Sequence, residues 1–318
     1  MQALILNPNA ARLRRDPALL RRLTEIAQGR ARVFVTDTLG ELTNAVQALH
    51  RDGVERLLLC GGDGTFMEGV SALARVGGLV RQHPARRLTL AFLPAGTVAT
   101  VARAFEQPED PLSGLEHALR PEAEFVSRPS LAITSSSGDE LRERVGFIFG
   151  TGLVARFFER YYLEGATGLA AAARIVARTL VGSFREDDYS RSILSPLPCR
   201  VAVDEGPLDA EAFSLVLCSV IRDAGLGMQV CYRAGEDWQR PHVVASALGP
   251  RQLGPQVHRV LRGMPLKGRG GFDGLSSQLL LQFPRGKGPW VLDGDLLEAE
   301  RVQVQAGPAL WLLAPRRR

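Results

Sequence analysis

The chain has 318 residues, 45% hydrophobic and 23% charged, a globular composition with enough apolar content for two cores. Its formal charge of +5 and pI of about 9.4 suit anionic partners such as nucleotides or acidic lipid surfaces, while no basic stripe interleaved with aromatics marks a nucleic-acid module. Cys60, Cys199, Cys218 and Cys231 are scattered and the five histidines lack ligand spacing, which speaks against a disulfide framework and a zinc site.

The opening MQALILNPNA is too short and uncharged for a signal peptide. No apolar run reaches the ~18 residues that span a bilayer, so a cytoplasmic protein is expected. ALILN (3–7) reads as a buried strand and PALLRRLTEIAQ (17–28) as an amphipathic helix. ARVFVT is a strand, ELTNAVQALH a helix, RLLLC a strand, FMEGVSALARV a helix and LTLAFL (88–93) a strand, with VATVARAF opening another helix. Strands alternating with helices across short turns predict a Rossmann-like parallel α/β domain. Its range is taken as 1–125, and the tail 305–318 is a candidate to rejoin it. Residues 126–304 carry short, often alternating strands (CRVAVDEG, FSLVLCSVI, HVVASAL, SSQLLLQF, PWVLDG, RVQVQAG) broken by Gly, Pro and Asp. They predict an antiparallel β-sandwich domain. GRGGFDG (268–274) reads as a flexible loop between strands, and Arg316, Arg317 and Arg318 as a solvated tail.

LLLCGGDGTFMEG (57–69) carries the strongest chemical signal. Ligands of open parallel sheets bind at the carboxyl ends of strands, where glycines bring bare N–H groups close and a helix N-terminus favours anions. Asp63 adds a negative charge to this phosphate cradle. A divalent cation accompanying the phosphate removes the conflict, because the carboxylate can then face the cation. Two plainer readings account for the same residues: Asp63-Gly64 as turn chemistry and Thr65-x-x-Glu68 as a capping box. A second strand–turn–helix junction, LTLAFLPAGTVATVARAF, could clamp the same polyphosphate from another side. No Walker A lysine is present.

GGDGT, P-x-G-T about thirty residues on, and a β-rich region ending in D-G-acid together resemble the diacylglycerol kinase catalytic family, which includes bacterial lipid kinases, sphingosine kinases and ceramide kinases. ILNPNA, VFVTDTLGEL and WVLDGDLL resemble further segments of it, so the likeness covers nearly the whole chain. The resemblance implies a phosphotransferase with an alcohol acceptor. It would use ATP and Mg²⁺ on a lipid hydroxyl of ceramide, a sphingoid base or diacylglycerol, working peripherally at the inner membrane face. It implies that Asn7, Thr36, Gly61, Gly62, Asp63, Gly64, Thr65, Gly96 and Thr97 hold ATP, with Asp63 serving Mg²⁺. Asp295, after Asp293-Gly294, stands where the family has the glutamate proposed as general base. Three departures stand out. Position 99 is alanine where the family's G-T-x-N has asparagine, a feature shared with ceramide kinases. Asp295 is one methylene short. The family's D-D-G metal site has only Asp237 of GEDWQRPHV as a counterpart.

Without the resemblance, Asp293-Gly294 reads as a hairpin turn. Phe157, Phe158, Tyr161 and Tyr162 form one broad aromatic helix face among Arg156, Arg160, Arg174 and Arg178. That face either lines an acyl-chain pocket with arginines toward anionic headgroups or packs on the β domain with its arginines in water. Two other functions stay open: an NAD kinase, which shares GGDGT but places an N-E pair this chain lacks, and an inactive lipid or nucleotide sensor, suggested by Ala99 and Asp295.

Overall fold

The computed structural model describes residues 1–77, 88–165, 168–204 and 206–315; Arg316, Arg317 and Arg318 lie outside the described residues. The chain divides into two compact units, Met1–Ser130 with Pro308–Arg318, and Leu131–Gly307.

The first unit runs β1 (Gln2–Leu6), α1 (Ala11–Arg15), α2 (Pro17–Ala27), β2 (Arg32–Val35), α3 (Leu39–Arg51), β3 (Arg56–Gly61), α4 (Asp63–Arg75), β4 (Thr89–Pro94), α5 (Thr100–Ala104), α6 (Pro111–Ala118) and β5 (Phe125–Arg128). Its helices start where the sequence supplies caps. Asp16 accepts from Ala18 N–H at 3.0 Å ahead of Pro17, and Thr38 Oγ1 accepts from Glu41 N–H at 3.1 Å while Glu41 accepts from Asp37 N–H at 2.7 Å. That is close to a reciprocal capping box. Alternation along the strands sends Leu4, Leu6, Leu58, Cys60, Ala91 and Leu93 into one core with Leu13, Leu23 and Leu115. The other face takes α4, whose Phe66 stacks on Phe92 with centroids 4.5 Å apart.

The second unit opens with β6 (Leu131–Ser137), β7 (Glu140–Gly146), β8 (Ile148–Gly152), α7 (Leu153–Leu163), α8 (Gly168–Ser183) and α9 (Asp188–Leu194). Then come β9 (Leu197–Pro198), β10 (Arg200–Val203), β11 (Gly206–Pro207), β12 (Ala212–Phe213), β13 (Leu215–Ser219), β14 (His242–Ser246), α10 (Pro250–Leu253) and α11 (Val257–Leu261). It ends with β15 (Phe272–Leu275), β16 (Gln278–Gln282), β17 (Gly288–Leu292), β18 (Asp295–Ala299) and β19 (Arg301–Ala306). Two six-stranded sheets result, ordered β11-β10-β16-β19-β6-β7 and β15-β14-β13-β8-β17-β18, with antiparallel pairing throughout. The short α10 and α11 were not expected, because Gly249, Pro250, Gly254 and Pro255 interrupt the helical periodicity. GRGGFDG is more ordered than a flexible loop: Phe272 to Gly274 belong to β15, and a Cβ on Gly268 would meet Leu248 Cδ1 at 2.9 Å.

The chain returns to the first unit as β20 (Leu310–Leu313). The first sheet is then ordered β2-β1-β3-β4-β20-β5, with β20 parallel to β4 and antiparallel to β5. Gln107 Nε2 donates to Leu313 O at 2.8 Å across this junction. An α/β domain with a mostly parallel sheet, followed by antiparallel sheets, is the fold class expected from the sequence.

Candidate active site

The first unit brings its predicted residues together at the carboxyl ends of β1, β3 and β4. Two adjacent turns form the site, Gly61–Thr65 and Pro94–Thr100. They touch through bare backbone: a Cβ on Gly96 would lie 2.7 Å from Gly62 Cα. A Cβ on Gly61 would overlap the Thr65 side chain. The glycines are therefore needed to let one turn lie against the other, before any ligand is considered.

Asn7 closes the cradle from β1. Its Nδ2 donates to Thr65 Oγ1 at 2.9 Å, its Oδ1 accepts from Asn9 N–H at 3.0 Å, and its own N–H reaches Cys60 O. Thr36, nearly buried, donates its N–H to Leu6 O at 2.9 Å and so lies beside the same strand end. The capping box, the plainer alternative for Thr65 and Glu68, does not form. Thr65 is the third residue of α4 and its hydroxyl accepts from Asn7, while Glu68 accepts from Thr43 and pairs with Arg75. The N-cap of α4 is Gly62, with no side-chain cap bond, which leaves the first turn of a thirteen-residue helix open to an anion.

Asp63 does something the sequence did not show. Its Oδ2 accepts from Thr100 N–H at 2.8 Å and its Oδ1 from Val101 N–H at 3.2 Å. It thereby caps α5, whose own N-cap, Ala99, holds a left-handed conformation (φ 52°, ψ 45°) and offers no side-chain bond. This explains why α5 begins at Thr100 rather than at Val98. Burial pushes the Asp63 carboxyl above its usual range, while the N–H groups of Thr100 and Val101, then the Arg103 charge, pull the other way. Thr97 is exposed at the tip of the second turn. One contributor was missed. Arg12 Nη1 donates to Pro94 O at 3.2 Å and to Glu109 O at 2.7 Å, and its N–H reaches Ala95 O, fixing the second turn. Its only sequence signal was proximity to the N-P strand end.

The second unit gathers Asp293, Asp295 and half of the aromatic face. Asp293 (φ 49°) and Gly294 (φ 101°) form the two-residue connection between β17 and β18, where positive φ at both positions is the demand of a tight hairpin. The Asp293 carboxylate accepts from Phe147 N–H at 3.1 Å and Ile148 N–H at 2.8 Å, so it anchors the turn to β8. Asp295 is the first residue of β18 and half-buried. Tyr162 donates to Gly294 O at 2.8 Å. Burial first, then the Asp295 charge, raise its phenol above the usual range. Phe158 also lies against this turn, 3.7 Å from where a Cβ of residue 294 would be. Phe157 and Tyr161 point elsewhere, packing on the Ile175, Ile193, Leu194, Leu248 and Leu253 cluster.

The arginines divide between packing and solvent. Arg156 donates to Ser195 O. Arg160 and Arg178 lie against the Tyr189 ring at 4.9 and 3.9 Å, and Arg174 is exposed. Asp237 accepts from Gln239 N–H at 2.9 Å, which makes it a turn residue. Among the described residues no group of three or more His, Cys, Asp or Glu side chains could hold a metal ion.

The fold that carries these turns is that of diacylglycerol kinase-like proteins. A structure of a diacylglycerol kinase from Bacillus anthracis str. Sterne superposes with a TM-score of 0.62 at 15% identity, covering 98% of this chain and 96% of that one. Two candidate diacylglycerol kinases from the same organism give TM-scores of 0.67 and 0.65 at 16% and 14% identity, with 98% of this chain covered and 94% and 96% of theirs. More particularly, residues 2–127 match the family model of the diacylglycerol kinase catalytic domain, and over that stretch the resemblance read from the sequence is borne out. No curated protein matches the chain.

Proposed function

We propose that this chain is a lipid kinase that moves the γ-phosphate of ATP, as its Mg²⁺ complex, to a lipid hydroxyl. The observation that carries the reading is the pair of touching glycine turns ahead of the uncapped α4, within the region matched to the diacylglycerol kinase catalytic domain. The open N-terminus of α4 and the bare N–H groups of Gly62 and Gly64 bind phosphate oxygens. Both Asp63 oxygens already accept from α5, yet each carboxylate oxygen retains lone-pair capacity, so the residue fits an Mg²⁺ held directly or through water. Such an ion, held by Asp63, would supply charge neutralisation on the phosphates. Asp295 takes the proton of the acceptor hydroxyl, and Asp293 and Tyr162 hold the turn that presents it. The acceptor is ceramide, a sphingoid base or diacylglycerol. Among the described residues no helix is long and apolar enough to cross a membrane, which is compatible with a peripheral enzyme meeting its substrate at the lipid surface.

The test is transfer of label from γ-labelled ATP with Mg²⁺ to micellar ceramide, sphingosine or diacylglycerol, with NAD in a separate reaction. A labelled lipid that is lost in Asp295→Asn supports the proposal and names the acceptor. Label on NAD would move the assignment to an NAD kinase. Nucleotide binding with no product in any reaction would make the chain a sensor, and Ala99 and Asp295 the positions to revert.

A further inference from the structure

The positive charge of this protein is not spread evenly. Residues 238–272 contain six Lys and Arg, namely Arg240, Arg251, Arg259, Arg262, Lys267 and Arg269, and no Asp or Glu. The rest of the chain holds 33 Lys and Arg against 34 Asp and Glu. The whole surplus is thus carried by one segment of the second unit, around α10, α11 and the approach to β15. That segment borders an open cavity of about 520 Å³, lined by Ala247, Leu248, Gln252, Gln256, Lys267, Gly268 and Arg269. The lining has two cations, two amides and no carboxylate.

The loop that bears the cations is held in place. Gln256 clamps the Lys267 peptide from both sides, accepting from its N–H at 2.6 Å and donating to its carbonyl at 2.8 Å. The same Gln256 amide donates to Gln252 O at 2.9 Å. Arg259 Nε donates to Pro265 O at 2.8 Å, bracing the loop from α11. Gly268 (φ 155°) lies so close to the Leu248 side chain that an added Cβ would make that side chain shift. Of the nearby groups, Arg251 pairs with Glu186 at 3.6 Å, and Asp273 is hydrogen-bonded to His242 at 2.9 Å. Among the described residues neither Lys267 nor Arg269 forms an ion pair with a carboxylate. Two exposed, unmatched cations fixed on one rim of a polar bowl attract a compact anion.

We propose that this cavity is a binding site for a phosphate group, carried either on an anionic lipid headgroup or as free phosphate, and built from residues other than those of the glycine turns. It does not depend on the kinase reading, since binding is measured without nucleotide or acceptor. The full chain is tested at low salt against two probes: inorganic phosphate by calorimetry, and vesicles of phosphatidylcholine containing phosphatidic acid by co-sedimentation. Lys267→Gln and Arg269→Gln are compared with Arg21→Gln and Arg22→Gln, which remove the same charge from the exposed side of α2. Glutamine keeps the side-chain stem, and a thermal melt identical to that of the unsubstituted protein checks the fold. Each lost cation should weaken binding roughly fivefold, and the Lys267→Gln/Arg269→Gln pair about 25-fold. Weakening of vesicle binding alone assigns a headgroup, and weakening toward inorganic phosphate assigns free phosphate. The proposal is overturned if the protein binds neither probe, if the pair binds as the unsubstituted chain does, or if the α2 pair weakens binding as much.

Discussion

Asp63 is proposed above to serve the nucleotide, yet the structure gives it another task, and the two can be separated. Replacing it with alanine removes two acceptors from the first N–H groups of α5, at 2.8 and 3.2 Å. Bonds from backbone N–H to a charged group contribute about 1.5 kcal/mol each at the low end, giving about 3 kcal/mol. Burial of the carboxylate opposes these bonds and outweighs them in setting its raised pKa. The expected loss is about 1 kcal/mol, the typical value for deleting a helix cap. For a protein of this size each kcal/mol lowers Tm by about 1.5 °C. Asp63→Asn retains one acceptor oxygen and should lose about half as much. Urea unfolding followed by circular dichroism reads both variants. Because the folded carboxyl is raised, its contribution is full below the unfolded value near 3.9 and falls as pH climbs through the folded value. The deficit of Asp63→Ala should therefore be greater at pH 4 than at pH 7. An alanine variant that unfolds at the original midpoint, or an asparagine variant as unstable as the alanine one, would refute the capping account. For activity the lesson is direct: loss of turnover in Asp63→Ala says nothing about Mg²⁺ unless the protein is still folded, and Asp63→Asn is the better probe.

Ala99 occupies a left-handed backbone that costs an alanine about 1–2 kcal/mol. Glycine there should raise Tm by about 1–2 °C after its own chain-entropy cost, whereas valine should lower it, as differential scanning calorimetry would record. Asp204 gives the opposite pH sign to Asp63. The Ser277 hydroxyl first, then the Ser277, Ser276 and Gln278 donors, hold its carboxyl below the usual range, with burial opposing. The stability it adds is present above about 3.9 and is lost as pH falls through the folded value. The Tm gap between the protein and Asp204→Asn should close in acid. The four cysteines are all fully buried, and burial pushes Cys60 to about 12 and Cys199 to about 11. A thiol reagent at pH 8 should find no reactive group in the native protein and four after unfolding.

Elements with strong local signals were legible in the sequence. Alternating apolar strands and amphipathic helices such as Pro17–Ala27 and Leu39–Arg51 appear within a residue or two of their expected bounds. So do the glycine turn after Arg56–Gly61 and the Asp293-Gly294 hairpin. Interactions between distant residues were not. T-x-x-E at Thr65 looked like a cap, but Asn7, 58 residues earlier, captures the hydroxyl. The two bonds from Asp63 cross 37 and 38 residues, and no local pattern announces them. The aromatic face read as one surface divides, and its halves serve different neighbours. Phe157 and Tyr161 fill a helical core, while Phe158 and Tyr162 rest on the turn before Asp295. A helical period locates a face but not what covers it.

The place of β20 has a bearing on how the protein is made. The first unit's sheet has a gap between β4 and β5 until Leu310–Leu313 arrives, and the ribosome delivers that segment only after the whole of Leu131–Gly307. The second unit can close around its own contacts while the first still waits with β4 and β5 unpaired on their facing edges. Such edges invite pairing with another chain. Synthesis that stalls before Leu310 would release a second unit with all its strands, attached to a first one with an open sheet edge beside the glycine turn at the end of β4.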